Sequence, residues 1–368
     1  MSEEVTARIR AEIRGRGPIG FDVFMEHALY GPGGFFEQSP IGADAHFVTS
    51  PHVHPFVFSR CVRTAILDGW SALGEPDPLR VVELGAGDGT LADALRSAFE
   101  ELPFPALSYL GVDVSAGARE RLAERGFRTV GSIRDVEPFE GVVLAHELLD
   151  NLPFRVVRGR EDGIVEVRIA LAGDRLVEAE VPWEPATPAE AGLRLGPGER
   201  STIPVGAFDL LDRVVERLRR GYVLVVDYGR EGPAGGVHGY RRHREVTDVL
   251  GDPGSTDVTA GVDLSLVARH AERLGLHAFG SVSQSRALEI LGYARWAETM
   301  RAIQSTLQRE GRGAEAVRVW QARSRASLLA DPEGLGAFRW LVLSTAGLPP
   351  PAWLERALGP DVVRPPAD

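Results

Sequence analysis

Hydrophobic and polar positions follow two alternating periods through the middle of the chain. Short apolar runs predict buried strands, and most runs are followed by a stretch whose apolar residues recur at helical spacing. After the first run, Leu91, Ala94, Leu95 and Ala98 would share one face of a helix. Strands and helices that alternate in this way form a parallel sheet with helices on both faces. We predict seven strands, at residues 80–87, 107–115, 127–132, 141–146, 222–229, 276–284 and 338–347.

Other segments interrupt this alternation. From residue 154 to 181 the apolar positions recur with period 2 between turn signals, which predicts an antiparallel insertion that stands off the main sheet. Residues 229–262 are rich in glycine and proline and predict a loop, whereas 285–330 have helical spacing. The prolines that follow residue 348 predict a poorly ordered tail.

The glycine-rich turn after the first strand is the strongest local indication of a ligand site. In "VVELGAGDGTL" (81–91) the strand ends near Glu83, and Gly85, Gly87 and Gly89 lead into a helix. Glycines allow a sharp turn and close approach of a ligand, and the start of a helix supplies free N–H donors. Dinucleotide sites have G-x-G-x-x-G, whereas this chain has G-x-G-x-G behind an acidic residue. A tight turn without a ligand is the alternative.

Two further groups could contact the same ligand. Asp113 ends the second strand, 28 positions after Gly85, and one carboxylate can accept hydrogen bonds from both hydroxyls of a ribose. A turn residue at the end of a strand is the alternative for Asp113. The Thr49-Ser50-Pro51 triplet either begins a helix that runs from His52 through Cys61 or lines the carboxylate end of a cofactor.

A polar cluster follows the fourth and fifth strands. "GVVLAHELLDNLPF" changes from a buried strand to His146 and Glu147, with Asp150 three positions later, and the fifth strand ends in Asp227 and Tyr228. Because the carboxyl ends of parallel strands meet at one edge of a sheet, we expect these side chains at a common cleft. The alternatives are a strand-end histidine bonded to a backbone carbonyl, an N-cap role for Asp150, and a turn role for Asp227.

The composition excludes several classes of function. A net charge of −11 argues against a general nucleic-acid or anionic-membrane binder. Cys61 is the only cysteine, so no internal disulfide or cysteine-based zinc site can form, and the absence of lysine excludes a Schiff-base or P-loop lysine. No His, Asp and Glu spacing indicates a metal site. Without a signal segment or an apolar run of membrane length, we expect a cytoplasmic protein, and the lysine-free composition suggests a GC-rich bacterial genome.

The ordered set of motifs resembles the MidA-like family of methyltransferases. "VVELGAGDGTL" is similar to motif I of class I S-adenosyl-L-methionine (SAM) methyltransferases. The segments "GPIGFDVFMEHALYGPGGFF", "HFVTSP", "HELLDNLPF", "VVDYG", "GYRRHREVTDVL" and "DVTAGVDL" surround it in the family's order. The family includes a mitochondrial complex I assembly factor that dimethylates an arginine of its partner subunit. The resemblance implies a Rossmann-like sheet, SAM as cofactor and S-adenosyl-L-homocysteine as product.

The resemblance also implies which residues bind the cofactor. Ser132 and Ile133 follow the third strand, where adenine contacts commonly lie in this fold. The full set expected at the cofactor is Thr49, Ser50, Pro51, Glu83, Gly85, Ala86, Gly87, Gly89, Thr90, Asp113, Val114, Ser132 and Ile133.

The expected parts of the chain follow from the pattern and the resemblance together. They are an N-terminal helical segment over the cofactor cleft (1–75), a SAM-binding core (76–153, 206–284 and 336–347), an antiparallel β insertion that forms a substrate wall (154–205), a helical insertion (285–335) and a proline-rich tail (348–368).

The sequence leaves the identity of the methyl acceptor open. The resemblance implies an arginine of a protein partner, such as a respiratory complex subunit, which Glu147 and Asp227 would bind through its guanidinium fork. A hydroxyl, thiol or carboxyl of a small molecule would instead use His146 as general base. A third hypothesis is an assembly protein that binds SAM without turnover, and a homodimer is one expected assembly.

Three departures from the family bear on the acceptor. The family usually has Asn where this chain has His146 and Glu where it has His52, and His238 lies at or next to a usual Arg. SAM binding should survive these changes, whereas the arginine substrate is less secure.

Overall fold

The computed structural model describes residues 2–38, 49–103, 105–241 and 244–359. Residues 46–48 of "HFVTSP", residues 242–243 of "GYRRHREVTDVL" and the end of the predicted tail from 360 onward lie outside the described residues.

The strands have the following bounds: β1 Leu79–Leu84, β2 Leu107–Val112, β3 Arg128–Val130, β4 Phe139–His146, β5 Arg155–Arg160, β6 Gly163–Ala172, β7 Arg175–Pro182, β8 Arg200–Ile203, β9 Leu218–Asp227, β10 Gly229–Arg230, β11 Val237–Arg241, β12 Arg244–Val246, β13 Asp257–Ala260, β14 Val262–Asp263, β15 Leu276–Ser283 and β16 Arg339–Thr345.

The helices have the following bounds: α1 Ser2–Arg16, α2 Phe21–Met25, α3 Phe35–Gln38, α4 Ser50–Val53, α5 Pro55–Ala72, α6 Thr90–Glu100, α7 Ala116–Glu124, α8 Pro188–Ala191, α9 Val205–Val215, α10 Leu264–Arg273, α11 Gln284–Leu288, α12 Ala294–Arg309, α13 Gly313–Ser327 and α14 Ala352–Leu358. None of the helices in the described part of the chain is both long enough and apolar enough to cross a lipid bilayer.

The main sheet has seven strands in the order β15-β16-β9-β4-β1-β2-β3. All seven predicted strands lie in it, which confirms the α/β fold. β16 is antiparallel to β9 and to β15, and the other neighbouring pairs are parallel. The hydrophobic pattern did not indicate this reversal. The chain runs outward from β1 to β2 and β3, and on the other side from β4 to β9. Ligands of open α/β sheets bind where the strand order switches in this way.

Alternate residues of the central strands pack into two cores, one on each face of the sheet. In β4, Val142 and Leu144 join a core with α5, α6 and α14, whereas Val143 and Ala145 join a core with α9 and α10. Because successive strand side chains point to opposite faces, a strand buried on both sides is apolar throughout. β4 therefore stays apolar until the sheet ends at His146, which is where the cleft begins.

The insertion between β4 and β9 forms a separate antiparallel sheet in the order β7-β6-β5-β8, as the period-2 pattern predicts. Its apolar face packs against α1 and α2 in a third core, in which the Phe21 and Phe154 rings are stacked with centroids 6.2 Å apart. The N-terminal helices are thereby attached beside the main sheet.

Three predictions of local structure were wrong. The expected loop at 229–262 contains a three-stranded sheet in the order β12-β11-β13, and β13 packs against the turn after β4. The expected poorly ordered tail contains α14, whose Trp353 is buried and donates its backbone N–H to Asp68 at 2.8 Å. The helix expected from His52 to Cys61 breaks at His54, whose ring accepts the Val57 N–H at the start of α5.

Candidate active site

A cleft of about 1560 Å³ opens at the carboxyl ends of β1, β2 and β4. The N-terminal helices and the three-stranded sheet β12-β11-β13, called the accessory sheet below, provide its outer walls. Among the described residues, eleven carboxyl side chains and a single arginine, Arg213, line it. The carboxyl residues are Asp22, Glu26, Glu37, Glu83, Asp88, Asp113, Glu147, Asp150, Asp209, Asp257 and Glu333. Such a surface favours a cationic ligand.

The glycine-rich turn forms the floor of the cleft between β1 and α6. Gly85, Gly87 and Gly89 have φ values of +66°, +59° and +82°, a region that other residues rarely adopt. A Cβ at Gly85 would lie 2.8 Å from the Leu148 side chain. The turn therefore requires glycine for its backbone. Gly85 and Gly87 bring bare backbone to the cleft next to Ala86 and Thr90, whereas Gly89, the N-cap of α6, does not line it. This arrangement fits the cofactor that the resemblance implies.

Asp113 lies between the glycine turn and α7. Its Oδ2 accepts the Gly87 N–H at 2.9 Å, and its Oδ1 accepts the Ser115 N–H at 2.8 Å. Burial raises the pKa of Asp113, and these two backbone hydrogen bonds partly offset the rise. Each carboxylate oxygen can accept more than one hydrogen bond, so the side chain fits a ribose without losing its protein partners.

The other residues expected at the cofactor surround this centre. Glu83 is buried, and Tyr109 donates its hydroxyl to it. Burial raises the pKa of Glu83 to about 8. Val114 is exposed and Ile133 buried, and both line the cleft as apolar surfaces suited to a planar base. Ser132 caps the short turn that begins at Ile133, through its hydroxyl and the Arg134 N–H at 3.2 Å.

The three residues of the Thr49-Ser50-Pro51 triplet differ in their exposure to the cleft. Thr49 and Pro51 line the cleft. Ser50 is fully buried and does not line it, so the expectation that Ser50 contacts the cofactor is corrected. Ser50 instead donates its backbone N–H to Glu147 Oε1 at 3.0 Å.

His52 connects the same short helix to the glycine turn. Its Nε2 lies 3.2 Å from Asp88 Oδ2, and its Nδ1 lies 2.6 Å from Thr49 Oγ1. The hydrogen bond to Asp88 raises the pKa of His52. Burial acts to raise the pKa of Asp88, but the hydrogen bonds from His52 and Thr90 outweigh it and lower this pKa to about 2. Asp88 is not among the predicted site residues, although it lies inside the "GAGDGT" motif.

His146 and Glu147 lie together at the end of β4. Glu147 has φ +49°, and its backbone N–H bonds to Val226 O at 2.8 Å. His146 Nε2 is 3.1 Å from Glu147 Oε1 but makes no hydrogen bond within the described residues, and its ring packs on Phe58 with centroids 5.1 Å apart. These contacts give no support to the alternative of a backbone carbonyl as partner of this nitrogen.

Asp150 lies in the turn Leu149–Asn151 and lines the cleft. Its Oδ2 accepts the Thr259 hydroxyl at 2.9 Å, whereas Oδ1 is buried without a hydrogen bond in the described structure. Burial raises the pKa of Asp150 to about 6. Leu148 occupies the N-cap position of the turn, so the N-cap alternative for Asp150 is wrong.

Asp227 does not face an acceptor as expected. It is fully buried, and it accepts backbone N–H groups from Leu148 at 3.0 Å, Leu149 at 2.7 Å and Tyr228 at 2.9 Å. Burial raises its pKa, and Asp150 adds to the rise. With three backbone partners, the carboxylate shapes the turn after β4 rather than binding a guanidinium. Tyr228 lies half-exposed in the cleft lining, 6.0 Å from the Phe338 ring.

The accessory sheet adds residues that the sequence analysis did not assign. Asp257 is buried in the cleft wall, and its Oδ1 accepts the Asn151 side-chain N–H at 2.9 Å. Burial raises the pKa of Asp257 to about 8, with a further contribution from Asp150. The motif "DVTAGVDL", which begins at this residue, was the available signal. His238 also lines the cleft and pairs with Glu245 at 2.9 Å.

Comparisons with known proteins agree with this geometry. A family model described as "Putative S-adenosyl-L-methionine-dependent methyltransferase" matches residues 61–282. The mitochondrial protein arginine methyltransferase NDUFAF7 homolog of Drosophila melanogaster is 29% identical over 321 residues, 77% of this chain and 73% of that protein. The protein arginine methyltransferase NDUFAF7 of Mus musculus is 28% identical over 336 residues, 79% of this chain and 75% of that protein. A crystal structure from Burkholderia thailandensis with bound S-adenosyl-homocysteine has a TM-score of 0.79 at 27% identity, and the match covers 93% of this chain and 92% of that one.

Proposed function

The chain belongs to the MidA-like family of SAM-dependent methyltransferases, and we propose that its methyl acceptor is an arginine side chain of a protein partner. Bound SAM supplies a methyl group on a sulfonium, which a nitrogen, oxygen or sulfur nucleophile can attack. The protein has to bind the acceptor, align it and manage its proton. Family membership makes a respiratory complex subunit the first partner to test, and the lysine-free composition supports a bacterial source.

The acidity of the cleft is the observation that carries this proposal. An arginine guanidinium is cationic at neutral pH and presents a planar fork of N–H donors. In the described part of the lining, eleven carboxyl side chains face one arginine, which suits a cation and disfavours an anionic acceptor. At about 1560 Å³ the cleft also exceeds the roughly 300–1,000 Å³ of a pocket for one small molecule, which leaves room for cofactor and peptide together.

Glu147 and Asp150 are the carboxylates best placed to hold the guanidinium. Glu147 uses Oε1 for the Ser50 N–H, and the described residues provide no hydrogen bond to its Oε2. Asp150 uses Oδ2 for Thr259, and its Oδ1 has no partner within the described structure. Two carboxylates on one side of the guanidinium would draw its charge toward them and away from the attacking nitrogen.

The proton released on methylation needs an acceptor. As the C–N bond forms and the methyl–sulfur bond breaks, the attacking nitrogen must lose one proton so that the methylated guanidinium keeps a single positive charge. Asp150, whose pKa burial raises to about 6, is a better proton acceptor than an exposed carboxylate.

The small-molecule alternative keeps one supporting observation. His146 Nε2 is buried beside the cleft without a hydrogen bond in the described residues, so it could accept a proton from a hydroxyl or thiol. The acidic lining complements the charge of a guanidinium but not that of a neutral hydroxyl or thiol, which is why we favour arginine.

Labelling separates these functions. The purified protein is incubated with methyl-labelled SAM and a size-fractionated lysate, and labelled bands are hydrolysed to identify the methylated amino acid. Methylarginine in a protein band, formed about 100-fold more slowly with Glu147→Gln, supports the proposal. Label confined to small molecules overturns it in favour of the alternative acceptor. SAM binding by calorimetry with no transfer to any fraction favours an assembly role.

A further inference from the structure

We propose that Gln284 is a positioning residue for Glu147 and acts through Ser50. The inference rests on the role of Glu147 in the proposed function. Gln284 is the first residue of α11, directly after β15. It is fully buried and does not line the cleft, so any effect on methyl transfer must reach the acceptor site through other residues.

The side-chain amide of Gln284 joins three separate parts of the chain. Its Nε2 donates to Ser50 Oγ at 3.2 Å and to Leu329 O at 3.0 Å. Its Oε1 accepts the Trp340 indole N–H at 3.2 Å. An indole nitrogen can only donate, so Trp340 fixes which end of the amide is oxygen and directs both N–H groups to the other partners.

The next hydrogen bond leads to the acceptor site. Ser50 starts α4, where backbone N–H groups have no partner inside the helix, and it gives its N–H to Glu147 Oε1 at 3.0 Å. Glu147 has φ +49°, a backbone conformation that residues other than glycine rarely adopt and that the surrounding structure must stabilise. The Ser50 N–H is the described hydrogen bond that orients the Glu147 carboxylate.

Trp340 also supports the residue before Glu147. Its ring packs edge-on against Phe58 at 6.1 Å, and Phe58 packs on His146 at 5.1 Å. Gln284 thus ties Ser50 to the same tryptophan that backs His146. The arrangement needs a side chain with two donor N–H groups and one acceptor oxygen, which an amide supplies. A Glu at position 284 would place an acceptor opposite Leu329 O, and a Met would leave Ser50, Leu329 and Trp340 without this partner.

The principal test is Gln284→Met, which keeps the volume and removes the hydrogen bonds. The assay measures the initial rate of label transfer to the lysate fraction that the wild type methylates, together with SAM binding by calorimetry. We expect kcat to fall about 10- to 100-fold, because small displacements of a positioning group are costly, while the Kd for SAM changes by less than about threefold. In the Glu147→Gln background, Gln284→Met should cause no further loss of kcat, which a purely structural defect would not predict.

Two other variants complete the test. Ser50→Ala removes the hydroxyl but keeps the N–H to Glu147, so it should reproduce part of the Gln284→Met loss and show no additive effect with it. If Gln284→Met does not fold, Ser50→Ala with and without Glu147→Gln decides the question. Tyr222→Phe is the matched control: it removes a part-buried hydrogen bond of 2.7 Å to Pro349 O, which shares no partner with Gln284, Ser50 or Glu147, and should lower stability without changing kcat.

The outcomes distinguish this inference from the proposed function. An equal loss in the wild-type and Glu147→Gln backgrounds, or a kcat within twofold of wild type for Gln284→Met and Ser50→Ala, overturns the role of Gln284 while leaving arginine methylation in place. If the wild type labels a small molecule instead, the arginine proposal fails, and the same comparison on that substrate still decides whether Gln284 positions Glu147.

Discussion

His52 Nε2 lies 3.2 Å from Asp88 Oδ2. This contact links α4, the helix that begins at Ser50, to the glycine turn that would hold the cofactor. Ser50 in turn donates to Glu147. This short helix therefore contacts both the glycine turn, through His52, and the Glu147 carboxylate, through Ser50.

The His52–Asp88 pair should make stability depend on pH above neutrality. The hydrogen bond to Asp88 raises the pKa of His52 in the folded state. A histidine with a raised pKa stabilises the fold fully below its unfolded pKa of about 6.5, and this contribution is lost as pH rises through the folded value. We expect the Tm of the wild type to fall by about 2 °C more than that of His52→Gln between pH 6 and pH 9, measured by calorimetry.

His54 provides a control of opposite sign for this measurement. It lies in the same segment, and burial lowers its pKa. Its contribution should therefore weaken as pH falls below about 6.5, so His54→Gln should flatten the acidic side of the profile instead. Identical Tm profiles for the wild type and His52→Gln from pH 6 to 9 would show that the pair does not titrate in this range.

Gly87→Val should abolish SAM binding. Gly87 has φ +59° on the cleft floor, so a β-branched side chain would distort the turn and occupy the space that the cofactor approaches. Isothermal calorimetry should detect no binding at concentrations that saturate the wild type. Gly173→Val is the matched control, because Gly173 has a similar φ of +64° in the β6–β7 turn, outside the cleft lining. Unchanged affinity in Gly87→Val would remove the glycine turn from the cofactor site.

Glu147→Gln should spare SAM binding and lower turnover about 100-fold. Gln keeps the shape and can still accept the Ser50 N–H at the position of Oε1, but it lacks the negative charge that would hold a guanidinium. Label transfer and calorimetry measure the two quantities separately. Glu140→Gln, an exposed change at the opposite end of β4, should leave both unchanged. Normal turnover in Glu147→Gln would make Glu147 structural.

Asp150→Asn should lower kcat/KM and raise stability at the same time. The pKa of Asp150 is about 6, so the wild-type kcat/KM should fall as pH drops through this value and the carboxylate becomes neutral. In the variant, kcat/KM should no longer fall on this acidic limb of the pH profile, and it should be about 10- to 100-fold lower than in the wild type at pH 8. A carboxyl whose folded pKa exceeds its unfolded value of about 3.9 weakens folding wherever it is ionised, so the Tm of Asp150→Asn should exceed that of the wild type at pH 8.

Thr259→Val tests the role of Asp150 by removing the hydroxyl that donates a hydrogen bond to it. The Thr259 hydroxyl lowers the pKa of Asp150, so its loss should move the acidic limb to higher pH. An acidic limb that persists in Asp150→Asn would assign the titration to another group.

The sequence by itself determined the architecture and the location of the site. Period-2 and helical spacing identified the seven strands and the β insertion, because burial on one or both faces imposes these periods locally. The glycine turn could also be predicted from the sequence, because the positive φ at Gly85, Gly87 and Gly89 strongly favours glycine at these positions. The carboxyl end of β4 followed from the fold class, as parallel strands bring such ends to one edge.

Only the tertiary structure decided what each polar side chain does there. Asp227 and Asp150 look alike in the sequence, yet the first has three backbone N–H partners and the second has a buried oxygen with none in the described residues. The link from Gln284 to Ser50 spans 234 positions and that from Ser50 to Glu147 spans 97. Local periodicity records which face of an element is buried, but hydrogen-bond partners depend on which distant segments the packed sheet brings within about 3 Å.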